Sequence, residues 1–402
     1  MKNEKENQGR VIIATMISKL GSIIFDYANS RFLISHSTQS VALMALYQGS
    51  ENFLGVIANT FGGAISDRHN PKKLVILADF INGLMCLGLS FLVLQKSLII
   101  AIYIVNLMMT LLYGFSSPAT KSLIKHLVRK DNLISFNSLV EVFGQVARVA
   151  GPAIALVVVN QVGIRGSLII NGCSYLLSGV INLGLKPINQ LSYKEAKKKS
   201  ILRSILEGWT YLFSDGHVLS LVILSSLTNI FLAGYNLSLP FADSFFHFSN
   251  GKVYATFLIA ETIGGILGAG ISKWAKKLKS VGDISLWLLL SGVFLFMLPL
   301  LGLVSTNLIV LSSPIMAFNA CLSIFNIKLF TFVQLRVDDA YIGRVFSSIF
   351  TSAIFLMPLG TWLFSQIMKV KSVTIFYVIG GGIIIISLIY LSGSRLRATN
   401  KE

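Results

Sequence analysis

Hydrophobic and polar residues alternate along this chain in long blocks. Twelve apolar stretches are separated by short polar segments. At a rise of about 1.5 Å per residue, roughly 20 apolar residues cross the ~30 Å hydrocarbon core of a bilayer as a helix. The pattern therefore predicts an all-α membrane protein with twelve transmembrane helices, here called spans 1 to 12. In chain order they are 11–34, 41–65, 74–94, 98–117, 137–159, 165–186, 217–240, 253–272, 283–303, 307–330, 344–366 and 373–393.

The composition also indicates a protein that crosses the bilayer many times. Hydrophobic residues make up 54% of the 402 residues, charged residues make up 13%, and the mean hydropathy is +0.73. A soluble globular protein has about 25% charged residues. No small-residue cleavage site follows the polar start Met1–Arg10, so we expect no cleaved signal peptide. The three cysteines, Cys86, Cys173 and Cys321, lie within apolar spans and are expected to serve in packing.

Basic residues are in excess, with a formal net charge of +17, and they are distributed unequally between the polar segments. The segments on the side of the two termini contain 25 Lys and Arg, and the segments on the other side contain 5. Cytoplasmic loops of membrane proteins carry such an excess. We therefore expect both termini in the cytoplasm, a plasma-membrane location, and basic loops beside anionic lipid rather than a nucleic-acid partner.

The longest hydrophilic interval lies between spans 6 and 7 and predicts two domains. It covers 186–203 and continues as an amphipathic segment through Phe213. We expect an N-terminal six-helix bundle at 1–187, a cytoplasmic linker with the amphipathic segment at 188–213, and a C-terminal bundle at 214–402.

The polar turn after span 2 has a degraded counterpart after span 8. The first reads GGAISDRHNPKK (Gly62–Lys73) and the second reads GAGISKWAKKLK (Gly268–Lys279). Both contain Ile-Ser and end in basic residues, but the second lacks the Asp-Arg pair. Two homologous six-helix halves would produce such a repeat.

The turn after span 2 resembles the signature loop between helices 2 and 3 of the major facilitator superfamily, a large family of secondary transporters. Its pattern is G-x-x-x-D-R-x-x-x-K-K, with Gly63, Asp67 and Arg68 at the key positions. Two positions depart from the family pattern. Asn70 stands where glycine is usual, and Asn tolerates left-handed backbone better than most residues. Pro71 replaces a residue that is often basic.

The resemblance implies a cytoplasmic gate at this turn, with ion pairs that form in one transport state only. The gate residues would be Gly63, Asp67, Arg68, Lys72 and Asp79. Asp79 is expected to join a charge network with Arg68. A polar turn oriented by positive-inside charges is the simpler alternative.

Three other stretches resemble one branch of the superfamily. ARVAGPAIA in span 5 is similar to the Gly-Pro motif of antiporter members, through Arg148, Gly151 and Pro152. Together with LVRKDNLISFNSLVE before span 5 and QLRVDDAYIGRVFSS before span 11, it resembles the macrolide-efflux and siderophore-export branch. The resemblance implies two pseudo-symmetric six-helix bundles around a cavity that opens alternately to each side of the membrane.

Polar residues follow one face of several spans, and in span 1 they recur at steps of 4, 3, 4 and 3. In the superfamily, helices 1, 4, 7 and 10 line the central cavity. The resemblance therefore implies a substrate cavity lined by Thr15, Lys19, Ser22, Asn29, Tyr103, Asn106, Thr110, Tyr113, Asn229, Asn236, Met316, Asn319 and Ser323. Hydrogen bonding between helices is the alternative, because span 6 carries a similar stripe.

Three carboxylates within spans are candidates for proton coupling: Asp26, Glu141 and Glu261. A charge at the centre of a span costs at least about 2.5–3.5 kcal/mol on insertion scales, so each needs a partner or a function. A fixed Lys19–Asp26 pair and mutual neutralisation of Glu141 and Arg148 are the structural alternatives.

Enzyme chemistry finds no support in the sequence. It contains no G-x-x-x-x-G-K-[ST] nucleotide motif, no His/Cys cluster with metal spacing and no local Ser/His/Asp set. We expect no cofactor and no metal.

The predicted function is proton-coupled export of an amphiphilic, macrolide-like or siderophore-like compound by a monomer. A flippase for lipid-linked substrates and a non-transporting membrane sensor with the same fold are the alternatives.

Overall fold

The computed structural model describes residues 2–36, 39–66, 69–92, 95–188, 210, 213–272, 281–337, 342–368 and 372–399. These residues are almost entirely α-helical, and none of them forms a strand. The predicted all-α fold class is therefore confirmed.

Contacts between residues divide the chain into two compact units. Unit 1 consists of Met1–Leu43 and Phe53–Lys198, and unit 2 consists of Met44–Asn52 and Lys199–Glu402. The helix of span 2 thus contributes residues to both units.

Spans 1 to 6 correspond to five continuous helices: Lys2–Ser35, Ser40–Ser66, Pro71–Ser90, Gln95–Leu127 and Lys130–Leu183. The last helix contains both span 5 and span 6, and a kink separates them at Gly163, where φ is 65°. Glycine adopts this left-handed conformation without the steric cost that a Cβ adds. The kink lies in the short interval predicted between the two spans.

Spans 7 to 12 correspond to the helices Gly216–Ser238, Lys252–Ile271, Val281–Val304, Leu308–Arg336, Ile342–Phe355, Met357–Ile367 and Ile375–Thr399. A turn at Leu239–Phe241 and a short helix at Ala242–Phe245 follow span 7. Span 11 consists of two helices, and the second has a proline in its first turn. Proline fits that position because the first helical N–H groups have no intrahelical acceptor.

Among the described residues, nine helical stretches are long and apolar enough to cross a membrane. One of them, Asp131–Leu183, covers two predicted spans. The helices of spans 2 and 11 are not among the nine. The number twelve therefore remains a prediction.

Asn70, in the turn before span 3, has extended backbone and not the left-handed backbone that asparagine tolerates. Asn70 has φ −61° and ψ 109°, and its side chain accepts a hydrogen bond from the backbone N–H of Lys73 at 3.2 Å. Pro71 is the first helical residue. Asparagine at the N-cap followed by proline is a strong helix start, so both departures from the family pattern serve to begin span 3.

In each unit, the third and the sixth span of that half of the chain are in close contact through a pair of glycines. Gly83 of span 3 and Gly172 of span 6 face each other so closely that a Cβ on either would lie 3.0 Å from the carbonyl oxygen of the other. In unit 2, Gly292 of span 9 and Gly380 of span 12 do the same at 2.9 and 2.8 Å. Spans 9 and 12 follow spans 3 and 6 by six spans. The match supports the internal repeat inferred from the two turns.

Candidate functional site

Spans 1 and 5 bring together a group of charged and polar side chains in unit 1. Arg148 donates from Nη2 to Glu141 Oε1 at 2.7 Å and from Nε to Gln145 Oε1 at 3.0 Å. Gln145 in turn donates to the same Glu141 oxygen at 2.9 Å. The predicted neutralising pair of Glu141 and Arg148 is therefore present. Both remain accessible, because their side chains are 67% and 42% exposed.

Lys19 of span 1 belongs to this group. Its Nζ lies where a Cβ on Gly144 would be only 2.9 Å away, so the ammonium occupies the space left by the missing side chain. Glu141 and Arg148 are the charged groups that act electrostatically on Lys19. The alternative of a fixed Lys19–Asp26 pair stays a prediction.

The other polar residues of span 1 have different surroundings. Ser22 hydrogen-bonds to the hydroxyl of Tyr175 in span 6 at 2.8 Å, which is a contact between helices. Asp26 is exposed, Asn29 is buried and Thr15 is half-buried. The polar face of span 1 therefore contains both an exposed carboxylate, Asp26, and a hydroxyl, Ser22, that bonds to a neighbouring helix.

A second polar group lies in unit 2, where spans 7, 8 and 10 meet. The hydroxyl of Tyr235 is a hydrogen-bond partner of the half-buried carboxyl group of Glu261. Asn319 donates from Nδ2 to the Tyr235 oxygen at 3.5 Å. Tyr235 itself is 2% exposed, and its ring packs on Phe318 with centroids 5.0 Å apart.

Close packing of spans 8 and 10 positions Glu261. Gly264 and Gly268 lie one and two turns after it and press against the backbone of Met316 and Ala320 in span 10. These two glycines form a close helix contact, of the kind that small residues permit in membranes, whereas nothing lies within 4 Å of a Cβ on Gly265.

Several of the predicted cavity residues donate side-chain hydrogen bonds to backbone carbonyl groups. Thr110 donates to the carbonyl of Asn106 at 2.9 Å, and Asn229 donates to the carbonyl of Ser225 at 2.9 Å. Ser323 donates to the carbonyl of Gly265 at 3.0 Å and so links spans 8 and 10. The remaining predicted positions are half-buried Tyr103 and Met316 and exposed Tyr113 and Asn236.

The predicted gate is only partly described. Asp67 and Arg68 lie outside the described residues, as does the side-chain environment of Gly63. Lys72 donates to the carbonyls of Leu183 and Leu185, each at 2.8 Å, and thereby caps the end of span 6.

Asp79 of the predicted gate is buried within unit 1. It accepts hydrogen bonds from Ser178 and Asn182 of span 6, both at 2.9 Å. The polar stripe of span 6 pointed to interhelical hydrogen bonds, but Asn182 was not identified from sequence, because spacing does not reveal the partner helix.

The residues of the Gly-Pro motif have a packing role in the structure. A Cβ on Gly151 would collide with the side chain of Ile23, so the glycine allows spans 1 and 5 to approach closely. Pro152 is buried inside the long helix. No group of His, Cys, Asp or Glu among the described residues has the arrangement of a metal site.

Comparison with known proteins identifies relatives along most of the chain. The chain is 20% identical over 353 residues to the uncharacterized MFS-type transporter YkuC of Bacillus subtilis, covering 85% of this chain and 81% of that protein. It is 22% identical over 319 residues to the enterobactin exporter EntS of Citrobacter koseri, covering 78% and 73% of the two chains.

Solved transporter structures share the fold. A crystal structure of the nucleoside transporter NupG matches with a TM-score of 0.73 at 14% identity, over 96% of this chain and 98% of that chain. A bacterial homologue of the iron transporter ferroportin, in an inward-facing state, matches with a TM-score of 0.74 at 14% identity, over 96% and 98%. A family model described as Major Facilitator Superfamily matches residues 11–361. The chain is therefore a multi-pass membrane transporter that belongs to the major facilitator superfamily.

Proposed function

We propose that this transporter exports an amphiphilic organic compound in exchange for protons. The similarity to the enterobactin exporter EntS supports export of a siderophore-like compound. A macrolide-like compound is proposed from the resemblance of the sequence motifs alone. The hydrogen-bonded group of Glu261, Tyr235 and Asn319 is the observation that carries the proton-coupled part of the proposal.

Glu261 suits a coupling role because the cost of placing its carboxyl group in the membrane depends on whether the group is ionised or protonated. Ionised, it accepts a hydrogen bond from Tyr235 and must be sheltered from the hydrocarbon core. Protonated, it loses its charge and with it most of the cost of exposure within the membrane. A proton that enters from outside thus changes which conformation of the transporter is more stable.

The test compares uphill transport with exchange in proteoliposomes. Labelled enterobactin and erythromycin serve as the two substrate probes, and an imposed pH gradient drives accumulation. In Glu261→Gln we expect a loss of at least tenfold in gradient-driven accumulation. Exchange of labelled for unlabelled substrate, which needs no net proton movement, should continue. Tyr235→Phe should give an intermediate loss.

Asp131→Asn provides the charge-matched control, because Asp131 is exposed at the start of the helix of span 5. It should accumulate substrate at the parent rate. Parental accumulation by a well-folded Glu261→Gln protein would exclude Glu261 as the coupling carboxylate. Absence of gradient-driven transport of both probes by the parent protein would count against the proposed substrate classes.

A further inference from the structure

A buried carboxyl group in unit 1 has only uncharged partners. Asp79 of span 3 is 9% exposed, and it accepts its two hydrogen bonds from the side chains of Ser178 and Asn182 in span 6. Within the part of the chain that the structure describes, Asp79 forms no ion pair. Burial of an ionised group within a membrane protein is costly unless a positive charge compensates it.

Oxygen atoms on this part of span 3 have unused capacity to accept. Ser178 and Asn182 both donate to Oδ2 of Asp79, at 2.9 Å each, so neither bond reaches Oδ1. Asn82 lies one turn after Asp79 on the buried face of the helix and is 4% exposed. Its Oδ1 has no hydrogen-bond partner among the described residues. A buried amide oxygen normally has a partner, so this oxygen calls for a ligand.

The contact between spans 9 and 12 shows that such a helix contact does not need a carboxyl group. Asp79 lies four residues before the paired glycine of span 3, and Leu288 lies four residues before that of span 9 and is fully buried. Ser178 lies six residues after the paired glycine of span 6, and Ile386 lies six residues after that of span 12. Apolar side chains thus fill the equivalent positions in unit 2. Packing alone does not explain the polar group in unit 1.

We propose that Asp79, Asn82 and Ser178 bind a sodium ion inside unit 1. Hard cations prefer oxygen ligands, and these residues supply a carboxylate, an amide and a hydroxyl oxygen. Ser178 Oγ donates to Asp79 and accepts from Asn182 at 3.4 Å, which leaves one of its two lone pairs for a cation.

The charge of the site selects a monovalent ion. One carboxylate compensates one positive charge, whereas a divalent ion would leave a net charge within the membrane. A site with one carboxylate and neutral oxygens also differs from the His/Cys clusters that the sequence lacks. The inference goes beyond proton-coupled export, because it assigns a second ion to a site in the other unit from Glu261.

Binding of radiolabelled sodium to the purified full-length protein, measured by scintillation proximity at neutral pH, tests the assignment. Choline chloride keeps the ionic strength constant. The parent protein should bind label that unlabelled sodium displaces and choline does not. Asp79→Asn keeps the shape but removes the charge, and it should weaken sodium binding at least tenfold. Asn82→Ala and Ser178→Ala should each weaken it by a smaller factor, because each removes one neutral ligand.

Two further variants separate binding from folding. Asp79→Leu copies the residue at the equivalent position of unit 2, so it should unfold at a temperature no lower than the parent protein without sodium. It should nevertheless bind no sodium. Asp131→Asn removes an exposed carboxylate of unit 1 and should bind sodium as the parent does.

Absence of displaceable sodium binding by the parent, or parental binding by Asp79→Asn and Asp79→Leu, would overturn the proposal. Stabilisation of the parent by acid but not by sodium would also overturn it, because a proton would then compensate the charge. The binding assay uses no organic substrate and no ion gradient. A failure of proton coupling at Glu261 would therefore leave sodium binding intact, and absence of sodium binding would leave the Glu261 experiment unaffected.

Discussion

At the scale of single residues, Lys19 shows that a long side chain can contact a different helix from the one that its sequence spacing suggests. Lys19 and Asp26 are seven residues apart on one face, which is about 10.5 Å along a helix. A lysine side chain is long and flexible, and here it reaches sideways to Gly144 of span 5 instead of along span 1. Asp26, on the same helix, is exposed.

We predict that Asp26→Asn binds substrate but loses concentrative efflux together with the linked proton flux. Asparagine keeps the shape and hydrogen-bonding capacity of the side chain but cannot exchange a proton. The measurement is uphill substrate accumulation and substrate-induced proton flux in the same proteoliposomes. Asp26→Glu restores the carboxylate and should retain part of both. If Asp26→Asn pumps at the parent rate, the Asp26 carboxylate is structural, and Glu141 or Glu261 becomes the next candidate for proton coupling.

At the scale of elements, helix starts and helix contacts are built from identifiable local features. Asp215 caps the helix of span 7 by accepting from the backbone N–H groups of His217 and Val218 at 2.9 and 3.3 Å. It also pairs with Arg336 at the end of span 10, at 2.5 Å. One carboxylate thus begins one span and fixes the end of another.

The hydrogen bonds of Asp215 predict how the stability of the folded protein depends on pH. Burial alone would raise the pKa of Asp215, but hydrogen bonds from Arg336 and from the two backbone amides outweigh it and hold the pKa below its ordinary value. A depressed folded-state pKa stabilises the protein above the unfolded-state pKa of about 3.9. That stabilisation is lost as the pH falls through the lower, folded-state value.

We therefore expect Asp215→Ala to lower stability at neutral pH by about 0.5–2 kcal/mol, the usual cost of losing an N-cap. The difference from the parent protein should shrink in acid, because the parent then loses its charged cap too. Thermal unfolding of the purified proteins at pH 7 and near pH 3 measures both effects. Arg336→Gln is the matched variant, and it should remove only part of the stabilisation. A deficit in Asp215→Ala that is equal at both pH values would contradict this account.

At the scale of the whole molecule, the same helix pairs recur in the two units. A Cβ on Gly151 in span 5 would collide with Ile23 in span 1, and a Cβ on Gly360 in span 11 would collide with Ile230 in span 7. Spans 7 and 11 follow spans 1 and 5 by six spans. Glycine permits this close approach because it has no side chain. The equivalent glycine contacts therefore support the internal repeat more strongly than the similarity of the two polar turns does.

Topology gives a prediction for the complete chain. In a variant without the three native cysteines, single cysteines at Ser249 and Asn307 should react with membrane-impermeant thiol reagents applied to intact cells. Cysteines at Asn70 and Lys198 should react only after the membrane is opened, because the basic loops are expected in the cytoplasm. The reverse labelling pattern would overturn the orientation and place the termini outside.

The sequence by itself determined the fold class and the superfamily. The length of an apolar run is a local property, and the thickness of the bilayer converts it directly into a helix. The apolar pattern also predicted an interval between spans 5 and 6, and the kink at Gly163 lies within it. These features depend on neighbours along the chain, which the sequence displays.

Only the tertiary structure decided which polar residues meet. Ser22 and Tyr175 are 153 positions apart in sequence, and Asn319 and Tyr235 are 84 apart. Helical spacing gives the direction of a side chain on its own helix but not the identity of the helix opposite. That identity follows from how glycines let particular helices approach, as Gly264 does between spans 8 and 10. The polar stripes were therefore visible in the sequence. Only the packed helices show which of their residues make packing contacts, which join the Glu261 group and which lie beside Glu141 and Arg148.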